Sequence, residues 1–290
     1  MAPGDAVSRL PTLFLSHGSP ANAVERTASS EAWAALALAL PQPRAVLIAS
    51  AHWETALPMF TGNPKPETIH DFGGFPEELY RIRYPAPGAP EVAAEAVALL
   101  KDAGITAGVN GCRGLDHGAW VPLRWMYPEA GVPVVQLSLQ PELGAARHVE
   151  LGRALAPLAD AGVLIVGSGH ATHNLRGWMT NPRRQETLRY AQAFADWLHE
   201  RLAARDTAAL VNYRELAPDA ARAHPSEEHY LPLLVAWGAA GDNACAERFA
   251  MGFEAGALAN DSYLFRPAAG SRDREPGQRN FARDSAAQLP

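Results

Sequence analysis

The chain has 290 residues, 48% hydrophobic and 19% charged, which gives enough apolar material for a sizeable core and excludes wholesale disorder. Lys plus Arg number 25 against 31 Asp plus Glu, a formal charge of −6 without basic clusters, which argues against nucleic acid or an anionic membrane as the main partner. The two cysteines, Cys112 and Cys245, lie far apart and form no CxxC pair, which argues against a disulfide scaffold or a thiolate zinc site.

The first β-rich run is TLFLS, centred on Leu13 to Leu15, and the second is AVLIASA, Ala45 to Ala51. Gly62–Pro90 is rich in Pro, Gly and aromatics; a loop this long inside a compact domain tends to be functional. Glu91–Gly104 is patterned as a helix, Val132–Leu139 (VPVVQLSL) as a strand, Gly144–Ala159 as a helix and Ala161–Gly167 (AGVLIVG) as a strand. Arg183–Ala204 reads as a third helix, and Pro225 and Ser226 as the start of another with His229 in its first turn. Ala246–Gly256 and Ala257–Arg266 read as two closing strands, antiparallel to each other. Near-continuous apolar runs suit strands buried on both faces. Their alternation with helices predicts one α/β domain over residues 1–290, a sandwich with a central, mostly parallel or mixed sheet flanked by helices. The polar stretch 268–290 is expected to be a loose tail. No apolar run approaches the roughly 20 residues of a membrane span. Met1 to Arg9 lack the apolar centre of a signal peptide, so a cytoplasmic protein without a membrane partner is expected.

Histidines follow three of the apolar runs directly: His17 in SHGSP, His52 in SAHWE, and His170 and His173 in GSGHATHNL. Ligands bind outside the carboxyl ends of strands in open α/β sheets. Neutral imidazole is the commonest metal ligand and the commonest general acid/base. One strand-end histidine is more often a loop hydrogen-bonder than a ligand; the same placement on three strands carries the argument for a metal site at that edge. Gly18, Gly167 and Gly169 flank these histidines, and each either lets backbone approach a ligand or serves an ordinary turn. His117 follows Asp116 in GLDHGAWVPL, and this carboxylate orients the imidazole if the two touch. A helix N-terminus disfavours a cation, so a neutral, metal-competent imidazole is expected at His229. His224 precedes Pro225 and reads as an extended turn residue. His148 and His199 sit in polar helical stretches and read as surface residues, His70 as structural. Phe72, Phe75, Tyr80 and Tyr84 either wall a ring pocket or pack their loop onto the body. Arg81 and Arg83 either hold a substrate carboxylate or lie on the surface.

Six motifs in order between Pro11 and Phe265 — SHGSP, SAHWE, GFPEELYRIRYPAPG, GLDHGAWVPL, GSGHATHNL and HPSEEHYLPLL — resemble the 4,5-DOPA extradiol dioxygenase family, a branch of the class III extradiol ring-cleaving dioxygenases. The resemblance implies a non-haem metal site with iron(II) as the working metal. It places His17, His52 and His229 at the metal-binding positions and His173 at the acid/base position beside the metal, close enough to count as a fourth ligand. His117 matches a histidine facing the substrate, and nothing is carried onto His170. Class III sites commonly use two His and one carboxylate; here the third position matches His229 rather than Glu227 or Glu228. An all-histidine set also suits zinc, so purified protein is expected to carry zinc in some preparations. The implied reaction opens the ring of a small-molecule catechol with O2, incorporating both oxygen atoms, in a monomer or small homo-oligomer. The competing reading is a zinc-dependent hydrolase on the same scaffold, with His173 as the base for a metal-bound water.

Overall fold

The apolar runs form strands β1 (Thr12–Ser16), β2 (Ala45–Glu54), β5 (Val134–Leu139) and β6 (Val163–Gly169), buried along almost their whole length. The computed structural model describes residues 9–181 and 186–267, so the tail expected at 268–290 and the expected helix start at Arg183 lie outside the described residues. Short strands β3 (Met59–Thr61) and β4 (Gly108–Asn110), with β7 (Cys245–Phe249) and β10 (Ser262–Arg266), complete an eight-stranded sheet. Its order is β4-β3-β5-β2-β6-β1-β10-β7. The central quartet β5, β2, β6 and β1 is parallel; β10 and β7 add antiparallel at one edge, and β3 meets β5 antiparallel. Strands β8 (Phe253–Glu254) and β9 (Leu258–Ala259) form a separate ribbon. The expected closing strands therefore each break in two. Ala250 and Gly252 adopt positive φ, which no strand accommodates, and Asn260 turns its N–H to the Gly252 carbonyl.

Side chains alternate across the sheet, and so do their partners. Leu47, Ala49 and Ile165 pack with helices α3 (Pro90–Asp102), α5 (Gly144–Leu155), α8 (Arg189–Ala203) and α12 (Leu231–Ala240). Val46, Ile48 and Val166 pack with α1 (Ala28–Ala39) and α4 (His117–Met126). The result is the single α/β sandwich expected from the sequence. Smaller helices complete it: α2 (Glu77–Arg81), α6 (Pro157–Asp160), α7 (Leu175–Thr180), α9 (Thr207–Val211), α10 (Tyr213–Leu216) and α11 (Ala220–Ala223).

Prolines account for the helix boundaries that differ from expectation. The helix expected over Gly144–Ala159 divides at Pro157, which has no N–H to continue the ladder. Helix α12 starts at Leu231 rather than Pro225, because Pro232 cannot donate to the Glu228 carbonyl. Tyr230 and Leu231 both bond to the Glu227 carbonyl instead, so His229 occupies a turn ahead of the helix. Helix α4, which was not foreseen, tolerates Pro122 inside its span. The Gly118 carbonyl that residue 122 would have bonded is left for another donor.

Candidate metal centre and substrate cavity

Strands β2, β6 and β1 are neighbours and parallel, so their carboxyl ends meet. His52 stands near the end of β2, Ser168 near the end of β6 with His170 just past it, and His17 one residue past β1. The turn ahead of α12 brings His229 to the same edge, where its carbonyl accepts from the His170 N–H at 2.9 Å. This approach needs glycine: a Cβ on Gly169 would lie 2.2 Å from the His229 carbonyl oxygen, and one on Gly167 2.0 Å from that of Pro232. His117 opens α4, and the loop after β6 supplies His173, whose N–H bonds the Ala223 carbonyl. His17, His52, His117, His170, His173 and His229 thus share one cavity of about 380 Å³, within the usual range for small-molecule sites.

Nitrogens of His17, His52 and His229 all lie within 4.8 Å of one another. His17 Nε2 and His52 Nε2 are 3.0 Å apart, and the His229 ring centroid is 5.4 and 5.0 Å from those of His17 and His52. His173 stacks on His229 at 3.4 Å with an interplanar angle of 11°. His117 sits 4.0 Å from His52, centroid to centroid.

The tautomers follow from the groups behind the rings. Ser168 Oγ donates to the Gly118 carbonyl that Pro122 leaves free, at 2.5 Å, so its oxygen must accept from His17 Nδ1 at 2.9 Å. His17 Nε2 therefore carries a bare lone pair. His229 Nδ1 donates to Glu228 Oε1 at 3.0 Å, and its Nε2 is buried without a hydrogen-bond partner among the described residues. The Asp71 carboxylate, 3.6 Å from His52 Nδ1, favours the proton there and a bare Nε2 on His52. Burial, reinforced by the neighbouring imidazoles, holds His17, His52 and His229 well below the ordinary histidine pKa, so all three are neutral. A buried acceptor left bare costs about 1–3 kcal/mol. Three converging ones are the donor set of a divalent metal, and the neutral imidazoles fit one.

Asp71 accepts from His117 twice, from the backbone N–H to Oδ1 and from Nδ1 to Oδ2, each at 2.9 Å. Burial alone would raise the Asp71 pKa, but the side-chain and backbone hydrogen bonds from His117 and the nearby imidazoles outweigh it and bring it to about 2. His117 is thereby left with Nε2 for the cavity. Burial, with the neighbouring His117 imidazole, lowers His173 to about 4, so its imidazole is neutral near pH 7.

Several residues have other duties than the sequence suggested. Asp116 does not orient His117; fully buried, it accepts from Ser50, Gln136 and Arg113. Asp71, in HDFGGF at the head of the aromatic loop, does so instead, and it was missed because it lies 46 residues away in sequence. Glu227 bonds Tyr213 and Arg214, and Glu228 backs His229. Phe72 and Phe75 line the cavity, whereas Tyr84 packs onto the body with its hydroxyl on the Leu123 and Tyr127 carbonyls. Tyr80 packs on Phe72. His70 donates to the Ile82 carbonyl, as a structural residue would. Arg81 pairs with Glu77, Arg83 holds backbone carbonyls, and neither lines the cavity. His224, read as an extended turn residue, is buried with Nε2 on the Ala171 carbonyl. His148, expected on the surface, is 0% exposed, and His199 is half-buried.

Residues 7–259 match the family model described as the catalytic LigB subunit of aromatic ring-opening dioxygenase. The chain is 44% identical over 259 residues to a 4,5-DOPA dioxygenase extradiol of Beta vulgaris, covering 88% of this chain and 96% of that protein. It is 41% identical over 237 residues to a protein of the same name from Escherichia coli, covering 80% and 86% respectively. A crystal structure of an uncharacterized protein from Escherichia coli K12 superposes with a TM-score of 0.75 at 34% identity, covering 88% of this chain and 99% of that one. The chain therefore belongs to the LigB family of aromatic ring-opening dioxygenases and is an enzyme of the extradiol ring-cleaving class.

Proposed function

We propose that this enzyme opens the ring of a catechol-type substrate with O2 at a non-haem divalent metal held by His17, His52 and His229. The observation that carries the reading is the convergence of three neutral imidazoles whose outer nitrogens bond Ser168 and Glu228 or, for His52, face the Asp71 carboxylate at 3.6 Å, leaving the inner ones bare. When bound, the metal supplies a Lewis acid that acidifies a catechol hydroxyl and, as iron(II), the redox chemistry that O2 requires.

The protein supplies the rest. We assign His173 the proton transfer: neutral near pH 7 and bordering the cavity, it accepts the substrate's hydroxyl proton and later returns it. We assign His117 a hydrogen bond accepted at Nε2 from a substrate hydroxyl, in the tautomer set by Asp71. Phe72, Phe75, Leu175 and Trp178 supply the apolar walls that receive a flat ring and exclude water. Iron(II) is the metal this chemistry needs, because zinc has no redox chemistry, although the neutral nitrogen set binds both.

The test is an oxygen electrode run with a panel of catechols on metal-stripped protein reloaded with iron(II) without air, beside the zinc-loaded form. The iron form should consume oxygen and yield a yellow ring-opened semialdehyde, and the zinc form should be inert. Inactivity of the iron form across a broad panel, with ester or amide hydrolysis by the zinc form, would replace this reading with the hydrolase.

A further inference from the structure

The cavity has one charged wall residue that metal binding and proton transfer do not use. Glu254 ends β8, and with Leu258 of the partner strand β9 it borders the same space as the histidines. Its carboxylate oxygen lies 3.9 Å from where a Cβ on Gly18 would stand, so it faces the segment that follows His17. The ribbon that carries it is fixed. Thr172 donates to the Ala257 carbonyl and accepts from the Ala259 N–H, and Asn181 donates to the Ala255 carbonyl.

Trp178, which also lines the cavity, donates a hydrogen bond to Glu254. An ionised carboxylate offers about four acceptor sites, so one indole N–H leaves most of its capacity for a ligand. No Lys or Arg is among the described residues that line the cavity, and Glu254 is the only carboxylate there. Among the described residues, a further charge acting on it is another acid, Glu25. Burial and that neighbour raise its pKa against the hydrogen bond from Trp178. Among the described lining residues, a substrate carboxylate would meet like charge, and an ammonium group would meet the carboxylate of Glu254 as its partner.

We propose that Glu254 is a specificity-determining residue that selects catechols bearing a cationic amine side chain and rejects those bearing a carboxylate. This rests on the ring-cleaving reading of the cavity for its catechol ring, and on the carboxylate and its surroundings for the charge preference. The amino-acid catechol, which carries both charges, falls between the two.

The experiment is calorimetric binding to iron(II)-loaded protein without air, so that ligands bind and do not turn over. The probes are aminoethyl-catechol, ethyl-catechol and catechol-propionate, which share one ring and differ in side-chain charge. The amine should bind about tenfold more tightly than the ethyl compound, and the propionate about tenfold more weakly, the scale of one charge-assisted contact. In Glu254→Gln the amine-to-ethyl ratio should fall to about one, and in Glu254→Lys the propionate should overtake the amine. Equal affinities for the amine and ethyl compounds in the wild type would overturn the proposal without any variant, as would an unchanged ratio in Glu254→Gln. Oxygen uptake by the same protein is a separate reading: a preserved charge order with no ring opening of any catechol would sink the proposed reaction and leave the role of Glu254 standing.

Discussion

Two buried histidines, His148 and His229, separate a structural imidazole from a ligand-competent one. Both are hidden from solvent, and burial lowers the pKa of each. His148 uses both nitrogens: Nδ1 donates to the Gly144 carbonyl at 2.8 Å and Nε2 accepts from the Gln140 N–H at 3.2 Å. His229 uses one, and its other nitrogen turns towards those of His17 and His52. His224 sharpens the point. It also has a buried nitrogen without a partner among the described residues, Nδ1, but its ring sits among Phe194, Tyr213 and Tyr230, and no group of possible metal ligands among the described residues includes it. Burial and a depressed pKa therefore mark all three, and only convergence of bare nitrogens marks a site.

The strongest way to break this contrast is to remove a converging nitrogen. His52→Ala should lower metal affinity by about 10²-fold or more, since even the groups behind metal ligands are worth about 10–100-fold. Metal content after dialysis measures it, and retention of metal at the wild-type level would remove His52 from the ligand set. His173→Ala should keep most of its metal and lose about 10²–10⁴-fold in turnover of catechols. Metal loss equal to that of His52→Ala would make His173 a ligand instead. Asp71→Asn should reduce kcat by about 10–100-fold, because His117 is then free to adopt the wrong tautomer, and should weaken metal binding less than His52→Ala does, since Asp71 stands behind His52 at 3.6 Å. A change confined to KM would mean that Asp71 only shapes the cavity.

On the structural side of the contrast the effect is smaller and of a different kind. His148→Leu should cost about 1–3 kcal/mol of stability by leaving the Gln140 N–H and Gly144 carbonyl unpaired, with metal binding unchanged. His148 also imposes an acid sensitivity. Its folded-state pKa of about 4 lies below the unfolded value of 6.5, so the unfolded chain binds the proton more readily. The stability it contributes is complete above pH 6.5 and is lost as pH falls towards 4. Thermal midpoints from pH 7 down to 4 should fall less steeply in His148→Leu than in the wild type.

The parallel core of the fold was legible because its strands are buried on both faces and read as unbroken apolar runs. Strands β3 and β4, three residues each, are too short to show a pattern. Helix α4 was hidden by Pro122, and the start of α12 was misplaced because Pro232 was not weighed against Pro225. His148 was read from the polar residues around it, yet Ala145, His148, Val149, Gly152 and Leu155 form one buried helical stripe. The periodicity of that stripe would have found it. The histidines that line the cavity could be named from sequence because three of them end strands. Their orienting partners could not. Asp71 and Ser168 reach their histidines through tertiary contacts, and short motifs carry no record of those.

The most direct test of the metal assignment is X-ray absorption at the iron edge on protein loaded with iron(II) without air, comparing the wild type with His148→Leu and His52→Ala. The wild type and His148→Leu should show the same shell containing at least three imidazoles, and His52→Ala one fewer or no bound iron. A shell dominated by carboxylate oxygen, or one that His52→Ala leaves intact, would contradict the account.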